Sequence, residues 1–262
     1  MSHAEILRDV VYAEVMGFRP LTLDLHLPQG GPSPVILFVH GGGWRTGSKS
    51  VFTPTISARD SFDRMTAAGF AVASVDYRLS GEARFPAQVH DVRASITWLR
   101  EHADDHRLDG SHIVLWGESA GATIAALVAL EPASGILGVI DWYGPSNLIS
   151  LAQSRTPEID ATSRESEWLG FSALEQLEVA RNASPVFAVH EDAPPFYIAH
   201  GTRDAAVSFS QSEEFVEALR EKGVDVRFER VDGANHMWRD FGDPASLVAP
   251  ALSFAREVVR VL

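Results

Sequence analysis

The chain is 262 residues long, carries a formal net charge of −13, and has 45% hydrophobic residues and no cysteine. Such acidity argues against partners with a phosphate surface, whether nucleic acid or anionic membrane, and the missing thiol excludes disulfides and thiolate chemistry. A chain of this length can form one large domain with a sizeable core.

Met1 to Asp9 contains no apolar signal core, and no stretch is apolar enough to span a bilayer, so a cytoplasmic location is the expectation. Leu21 to Leu27 alternates strictly and predicts a half-exposed antiparallel strand near one edge of a sheet. Val35 to Val39 is wholly apolar, as a parallel strand covered on both faces should be, and similar runs recur at 71–76, 112–116 and 138–142. Between them, Val89, Val92, Ile96 and Leu99 mark one face of a helix, and 120–129 reads as another. Residues 145–195 are the least regular stretch, lying between two strands where an insertion can cover a site without disturbing the sheet.

Phe196 to His200 and Val226 to Val231 predict two further strands. Ser208 with Gln211 resembles a capping box, Gly223 resembles a helix stop, and Leu247, Ala251, Phe254, Val258 and Val261 fall at helical spacing. The alternation of strands and helices predicts an α/β fold: a mostly parallel, doubly wound sheet with helices on both faces. The expected organisation is a single domain over residues 1–262 with a cap-like insertion at about 145–195.

Gly117-Glu118-Ser119-Ala120-Gly121 stands where the strand at 112–116 must turn into the helix at 120–129. A Gly-x-Ser-x-Gly sequence in that context holds a serine in a strained turn with its hydroxyl exposed at a helix N-terminus. A serine hydroxyl is a weak nucleophile and needs a base, which in turn needs an orienting acid; on such a sheet both follow the serine in the chain. Of the downstream histidines, His236 lies on a loop directly after a strand and is favoured as the base. His200 ends a strand and reads as support for the next loop, while His190 has no strand to place it. Asp204, on the loop at the carboxyl edge after Phe196 to His200, is favoured as the acid over Asp141, with Asp232 third. His40-Gly41-Gly42-Gly43-Trp44 follows a buried strand. Three successive glycines suit close backbone approach to a ligand, with His40 bracing the loop.

These segments, with Asp76-Tyr77-Arg78-Leu79, Phe85-Pro86-Ala87, His200-Gly201-Thr202-Arg203-Asp204 and Gly233-Ala234-Asn235-His236, resemble the α/β-hydrolases in the expected order from about residue 35 to 240. Within that superfamily the chain is similar to esterases related to hormone-sensitive lipase and to the small feruloyl/acetyl esterase-like branch. The resemblance implies Ser119 as nucleophile, Asp204 as acid, His236 as base, and an oxyanion hole from the N–H groups of Gly42, Gly43 and Ala120. Glu118 departs from the larger lipase-like members, which usually carry Asp there. Trp44 directly after the glycines is more typical of the smaller branch and of kynurenine formamidases.

The reading is a serine carboxylesterase acting on small, short-acyl esters through an acyl-enzyme, with a small-molecule ester as its partner and no metal or cofactor. Trp44, Tyr143, Trp168 and Trp238 are candidate walls of an apolar substrate pocket, and Trp142 is a further one. The same triad would serve an amidase or aryl-formamidase or an acyl transferase, and a non-catalytic binding protein on this scaffold is the alternative from another class. A homodimer is compatible with the sequence, which sets no oligomeric state.

Overall fold

The computed structural model describes residues 4–260; Val261, the last position of the terminal helical pattern, lies outside them, as do the opening residues Met1 to His3. Eight strands form one sheet: β1 (Glu5–Ala13), β2 (Leu21–Leu27), β3 (Ser33–Val39), β4 (Ala71–Val75), β5 (Leu108–Glu118), β6 (Gly138–Trp142), β7 (Phe196–Gly201) and β8 (Val226–Val231). Their order is β1-β2-β4-β3-β5-β6-β7-β8. β1, β2 and β4 pair antiparallel in turn, and from β4 through β3 to β8 every pairing is parallel. This is the mostly parallel, doubly wound sheet that the alternation predicted.

Successive side chains leave a strand on opposite faces, and the sheet has a core on each side. Val35, Leu37 and Val39 of β3 pack on one face with α2 (Ala87–Glu101), α3 (Ala120–Ala129) and α8 (Ser210–Glu221). Ile36 and Phe38 pack on the other with α1 (Ala58–Ala67) and α9 (Val248–Arg260). Between β6 and β7, the irregular stretch holds four short helices: α4 (Leu148–Gln153), α5 (Pro157–Ala161), α6 (Arg164–Leu169) and α7 (Leu177–Asn182). No helix among the described residues is long and apolar enough to cross a membrane.

Two local expectations are corrected. β2 is antiparallel, as expected, but not half-exposed: β1 closes the edge beside it, and Asp24 and His26 on its polar face are buried with the leucines. Asp24 is accommodated there by the Arg8 guanidinium at 3.1 Å and the Asp9 N–H at 3.0 Å. Nor do Ser208 and Gln211 form a capping box. α8 begins at Ser210 without a side-chain cap, and the Gln211 carboxamide instead accepts the Ser146 and Asn147 N–H groups, tying α8 to the start of the insertion. Gly223 does stop α8, in the left-handed region at φ 75°.

Candidate active site

The turn from β5 into α3 places Ser119 at φ 52° and ψ −123°, a conformation strained for any residue with a side chain. Neighbouring glycines make the turn possible by their bareness. A Cβ on Gly117 would fall 2.4 Å from the Ala122 Cα, and one on Gly121 would fall 2.1 Å from the Val39 carbonyl oxygen of β3. The Ser119 N–H is anchored to the Trp142 carbonyl of β6 at 2.8 Å. The serine is therefore held rigidly at the carboxyl edge of the sheet, where such folds gather their ligands.

Two loops from the same edge meet it. The Ser119 Oγ lies 3.0 Å from His236 Nε2, and His236 Nδ1 lies 2.6 Å from Asp204 Oδ2. The other Asp204 oxygen accepts the Ala206 and Val207 N–H groups, each at 2.8 Å. Burial alone would push the Asp204 carboxyl up. Hydrogen bonds from His200 and His236, the charge of His236 and the Val207 N–H outweigh it and hold the carboxyl well below its ordinary range. A fixed carboxylate on Nδ1 selects the tautomer whose Nε2 is bare toward the serine hydroxyl.

Asn235 had no role in the sequence reading. Its Oδ1 accepts both the His236 N–H at 2.8 Å and the Ala205 N–H at 3.0 Å, joining the loop that carries His236 to the loop that carries Asp204. The signal available was an Asx residue directly before the histidine, a type prone to bonding nearby backbone.

The remaining candidates fall in distinct places. His200 is fully buried, with Nδ1 2.7 Å from Ser212 Oγ and Nε2 3.1 Å from the Val207 carbonyl and 3.3 Å from Asp204 Oδ2, so it braces the loop that carries Asp204. Asp141 accepts the Gly144 N–H at 2.9 Å instead of meeting His236, and burial pushes its carboxyl up to about 6. Asp232 is exposed on its turn, and His190 contacts the Leu130 carbonyl.

The glycine loop after β3 faces the serine turn. Gly42 has φ 106°, and a Cβ there would strike the Thr46 carbonyl oxygen at 2.1 Å. Among the described residues, the N–H groups of Gly42, Gly43 and Ala120 make no internal hydrogen bond. His40 is buried beneath this loop, stacked on Tyr77 with centroids 4.3 Å apart, and its Nδ1 lies 2.7 Å from the Gly41 carbonyl. Burial lowers its pKa to about 4, so the ring is neutral and acts as a brace. Glu118 Oε1 accepts the Gly41 N–H at 2.8 Å, linking this loop to the residue before the serine. Its Oε2 is buried without a partner, and burial pushes the carboxyl up to about 7.

A cavity of about 360 Å³ opens over Ser119 and His236. Residues 155–165 of the insertion supply one wall, and Trp44, Pro145 and Val207 contribute others. Three of the four aromatic wall candidates are corrected. Trp168 lies behind Trp44, stacked on it at 4.3 Å with its indole N–H on Gln88. Tyr143 and Trp238 pack against each other in the core, with centroids 4.7 Å apart, and the Tyr143 ring supports His236 edge-on at 4.8 Å. All three are fully buried and none lines the cavity; Trp142, also buried, does not either. Tyr143 and Trp238 are lost to the cavity because they complete an aromatic cluster in the core, Trp238 edge-on to both Trp142 and Tyr143, with Trp142 edge-on to Trp116.

Among the described residues, no group of three or more His, Asp or Glu side chains is placed to hold a metal ion.

The BD-FAE family model matches residues 23–219, which contain the glycine loop, the serine turn and Asp204. The chain belongs to the BD-FAE family. It is 30% identical over 230 residues to esterase LipC of Mycobacterium tuberculosis, covering 78% of this chain and 53% of that protein. The chain spans about half the length of the curated relatives it matches first. Its fold is the α/β-hydrolase fold. A truncated carbohydrate esterase from gut microbiota superposes with a TM-score of 0.86 at 24% identity, over 98% of this chain and 97% of that one. Esterase 2 of Thermogutta terrifontis with propionate bound superposes with a TM-score of 0.75 at 26% identity, over 97% and 92%. The same enzyme has also been solved phosphonylated by sarin.

Proposed function

We propose that the protein is a serine carboxylesterase that hydrolyses small, short-acyl esters through an acyl-enzyme. The observation that carries the reading is the continuous relay from Ser119 Oγ to His236 Nε2 at 3.0 Å and from His236 Nδ1 to Asp204 Oδ2 at 2.6 Å. His236 takes the Ser119 proton as the oxygen attacks the ester carbonyl, and Asp204 stabilises the imidazolium. The developing oxyanion accepts from Gly42, Gly43 and Ala120, donors of a kind worth about 3 kcal/mol each in acyl-transfer sites. His236 then gives its proton to the departing alcohol. Water, deprotonated by the same ring, attacks the acyl-serine, and the ring returns that proton to Ser119 Oγ as the acid leaves.

The insertion at 145–195 acts as a cap, since residues 155–165 wall the cavity. A cavity of about 360 Å³ suits a compact acyl group, and the propionate-bound and butyrate-bound structures of the Thermogutta esterase support the same range.

The test is labelling with a fluorophosphonate followed by a nitrophenyl ester series from acetate to dodecanoate. An adduct on Ser119, absent in Ser119→Ala, with highest kcat/KM at two to four acyl carbons, is the expected result. Turnover that survives Ser119→Ala would overturn the mechanism, and a preference for long chains would overturn the substrate class.

A further inference from the structure

Against a chain charge of −13, the cavity over Ser119 is lined by three arginines, Arg45, Arg155 and Arg164, and one acid, Glu165. Two of the arginines are matched. Arg155 reaches both Glu165 oxygens, at 2.7 and 3.4 Å, in a largely buried pair, and Arg45 meets Glu167 at 3.1 Å. Arg164 has no ion pair or hydrogen bond among the described residues. Its stem is nevertheless placed. A Cβ on Gly43 would fall 2.1 Å from the Arg164 Cδ and 3.1 Å from its Nε, so the side chain lies flat on the bare backbone of that glycine. An unmatched guanidinium is thus presented at the cavity mouth beside the loop that faces the serine.

The neighbouring acids are already bonded: Glu165 to Arg155, and Glu167 to Arg45 and the Ser80 hydroxyl. The Asp204 side chain is fully buried, and its two oxygens are taken by two backbone N–H groups and two histidines. Glu118 is buried, with one carboxyl oxygen on the Gly41 N–H. An anion entering the cavity therefore meets Arg164 without an acid already bonded to it, and a planar guanidinium pairs bidentately with a carboxylate.

Resting on the esterase reading, we propose that Arg164 forms an anion-recognition subsite and that the favoured substrates are esters bearing a carboxylate on the acyl or the alcohol part. The subsite selects substrate and takes no part in bond making.

Two carboxylate esters test it, each against a neutral counterpart: 4-acetoxybenzoate against 4-acetoxybenzamide, with the charge on the leaving group, and phenyl hydrogen succinate against phenyl butyrate, with the charge on the acyl group. Ratios of kcat/KM compared between proteins cancel the intrinsic reactivity of each pair. Arg164→Gln is expected to lower the ratio about 5- to 10-fold in one pair, the one whose charge reaches the subsite. Lys222→Gln, on an exposed site past the end of α8, removes the same charge and should leave both ratios unchanged. The wild-type preference should also shrink with added salt. Equal ratios in Arg164→Gln and Lys222→Gln for both pairs would overturn the subsite while leaving the esterase intact. If wild type hydrolyses none of the four esters, the esterase reading falls instead. Calorimetric binding of phenyl hydrogen succinate and 4-acetoxybenzoate to Ser119→Ala, weakened about 5-fold or more for one of them by Arg164→Gln, still reads the subsite; binding that Arg164→Gln does not weaken for either would overturn it.

Discussion

Glu118 and Gly41 are joined across 77 positions of sequence by one hydrogen bond, in which the buried carboxylate accepts the glycine N–H at 2.8 Å. That bond fixes the glycine loop to the serine turn, so the donors of Gly42 and Gly43 and that of Ala120 are set by one shared strut. A glutamine keeps an acceptor oxygen there and an alanine does not. Glu118→Gln is expected to hold kcat on phenyl acetate near the wild-type value, while Glu118→Ala loses about 10-fold or more, within the loss from removing a single oxyanion donor. Equal activity in the two variants would show that the strut is not needed.

The same carboxyl makes stability depend on pH. Burial raises it from 4.5 to about 7, so the folded protein holds that proton more tightly than the unfolded chain. Its stabilising contribution is complete below pH 4.5 and is lost as pH rises through about 7. Asp141, raised to about 6, acts in the same direction, whereas His40, lowered from 6.5 to about 4, acts oppositely. The comparison that isolates Glu118 is therefore Tm of Glu118→Gln minus Tm of wild type. This difference should grow from pH 4.5 to 7 and level off above; a flat difference across that range contradicts the assignment.

Asp141 lies in β6 and Asp204 on the loop after β7, at the same edge of the sheet, and the hydrogen bonds separate their roles. Only Asp204 reaches His236, at 2.6 Å; Asp141 accepts the Gly144 N–H. Asp204→Asn should lower kcat by about 10⁴-fold, because the amide favours the wrong imidazole tautomer. Asp141→Asn keeps an acceptor for Gly144 and should change the rate far less. Steady-state kinetics on one nitrophenyl ester distinguishes them, and a comparable loss in both variants would remove Asp204 from its place as the sole acid.

The parts legible in sequence are those whose cause is local. A fully covered strand must be apolar along its length, and a sharp strand-to-helix turn must have small flanking residues, so β3, β5 and the Ser119 turn carry their own signatures. β1 does not: its pairing with β2 shifts register between Leu7 and Val10 and again between Val11 and Ala13, and these irregularities break the period-2 pattern. α1 offers only Phe62 and Met65 as buried apolar anchors, too few to mark a helical stripe. Arg164 is one of many surface charges until the insertion folds over Gly43. The aromatic candidates fail for a related reason, since a tryptophan's burial is decided by which face its backbone turns toward.

Asn235 links the loops that carry Asp204 and His236, through the N–H groups of His236 and Ala205. Asn235→Ala leaves both N–H groups without their acceptor. The cost expected is about 1 kcal/mol of stability, the exposed Ala205 N–H being free to bond water, together with a lower kcat, since the imidazole is no longer held to the Asp204 loop. Asn235→Asp, made together with Asp240→Asn because the Asn235 amide faces the Asp240 carboxylate at 3.5 Å, keeps the acceptor and should recover most of the rate. Thermal melts and kcat measured on both variants check the pair, and a failure of aspartate to rescue would mean that the bonds to Asn235 Oδ1 do not position the base.

Trp44 follows Gly43 directly and Trp238 lies two residues after His236; both are buried, but of the two only Trp44 lines the cavity, so truncating them should separate specificity from stability. Trp238 is wrapped by Trp142 and Tyr143 away from the cavity, so Trp238→Ala leaves a void in the core and should cost about 3–5 kcal/mol. Trp44 lines the cavity and stacks its ring on Trp168. Trp44→Ala enlarges the space beside Ser119 and should move the best acyl length upward by several carbons. The chain-length profile of Trp238→Ala, measured well below its lowered Tm, should keep the wild-type optimum. An unchanged optimum in Trp44→Ala would mean that the acyl group lies against the insertion, with Ile159 and Thr162 as its wall in place of the indole.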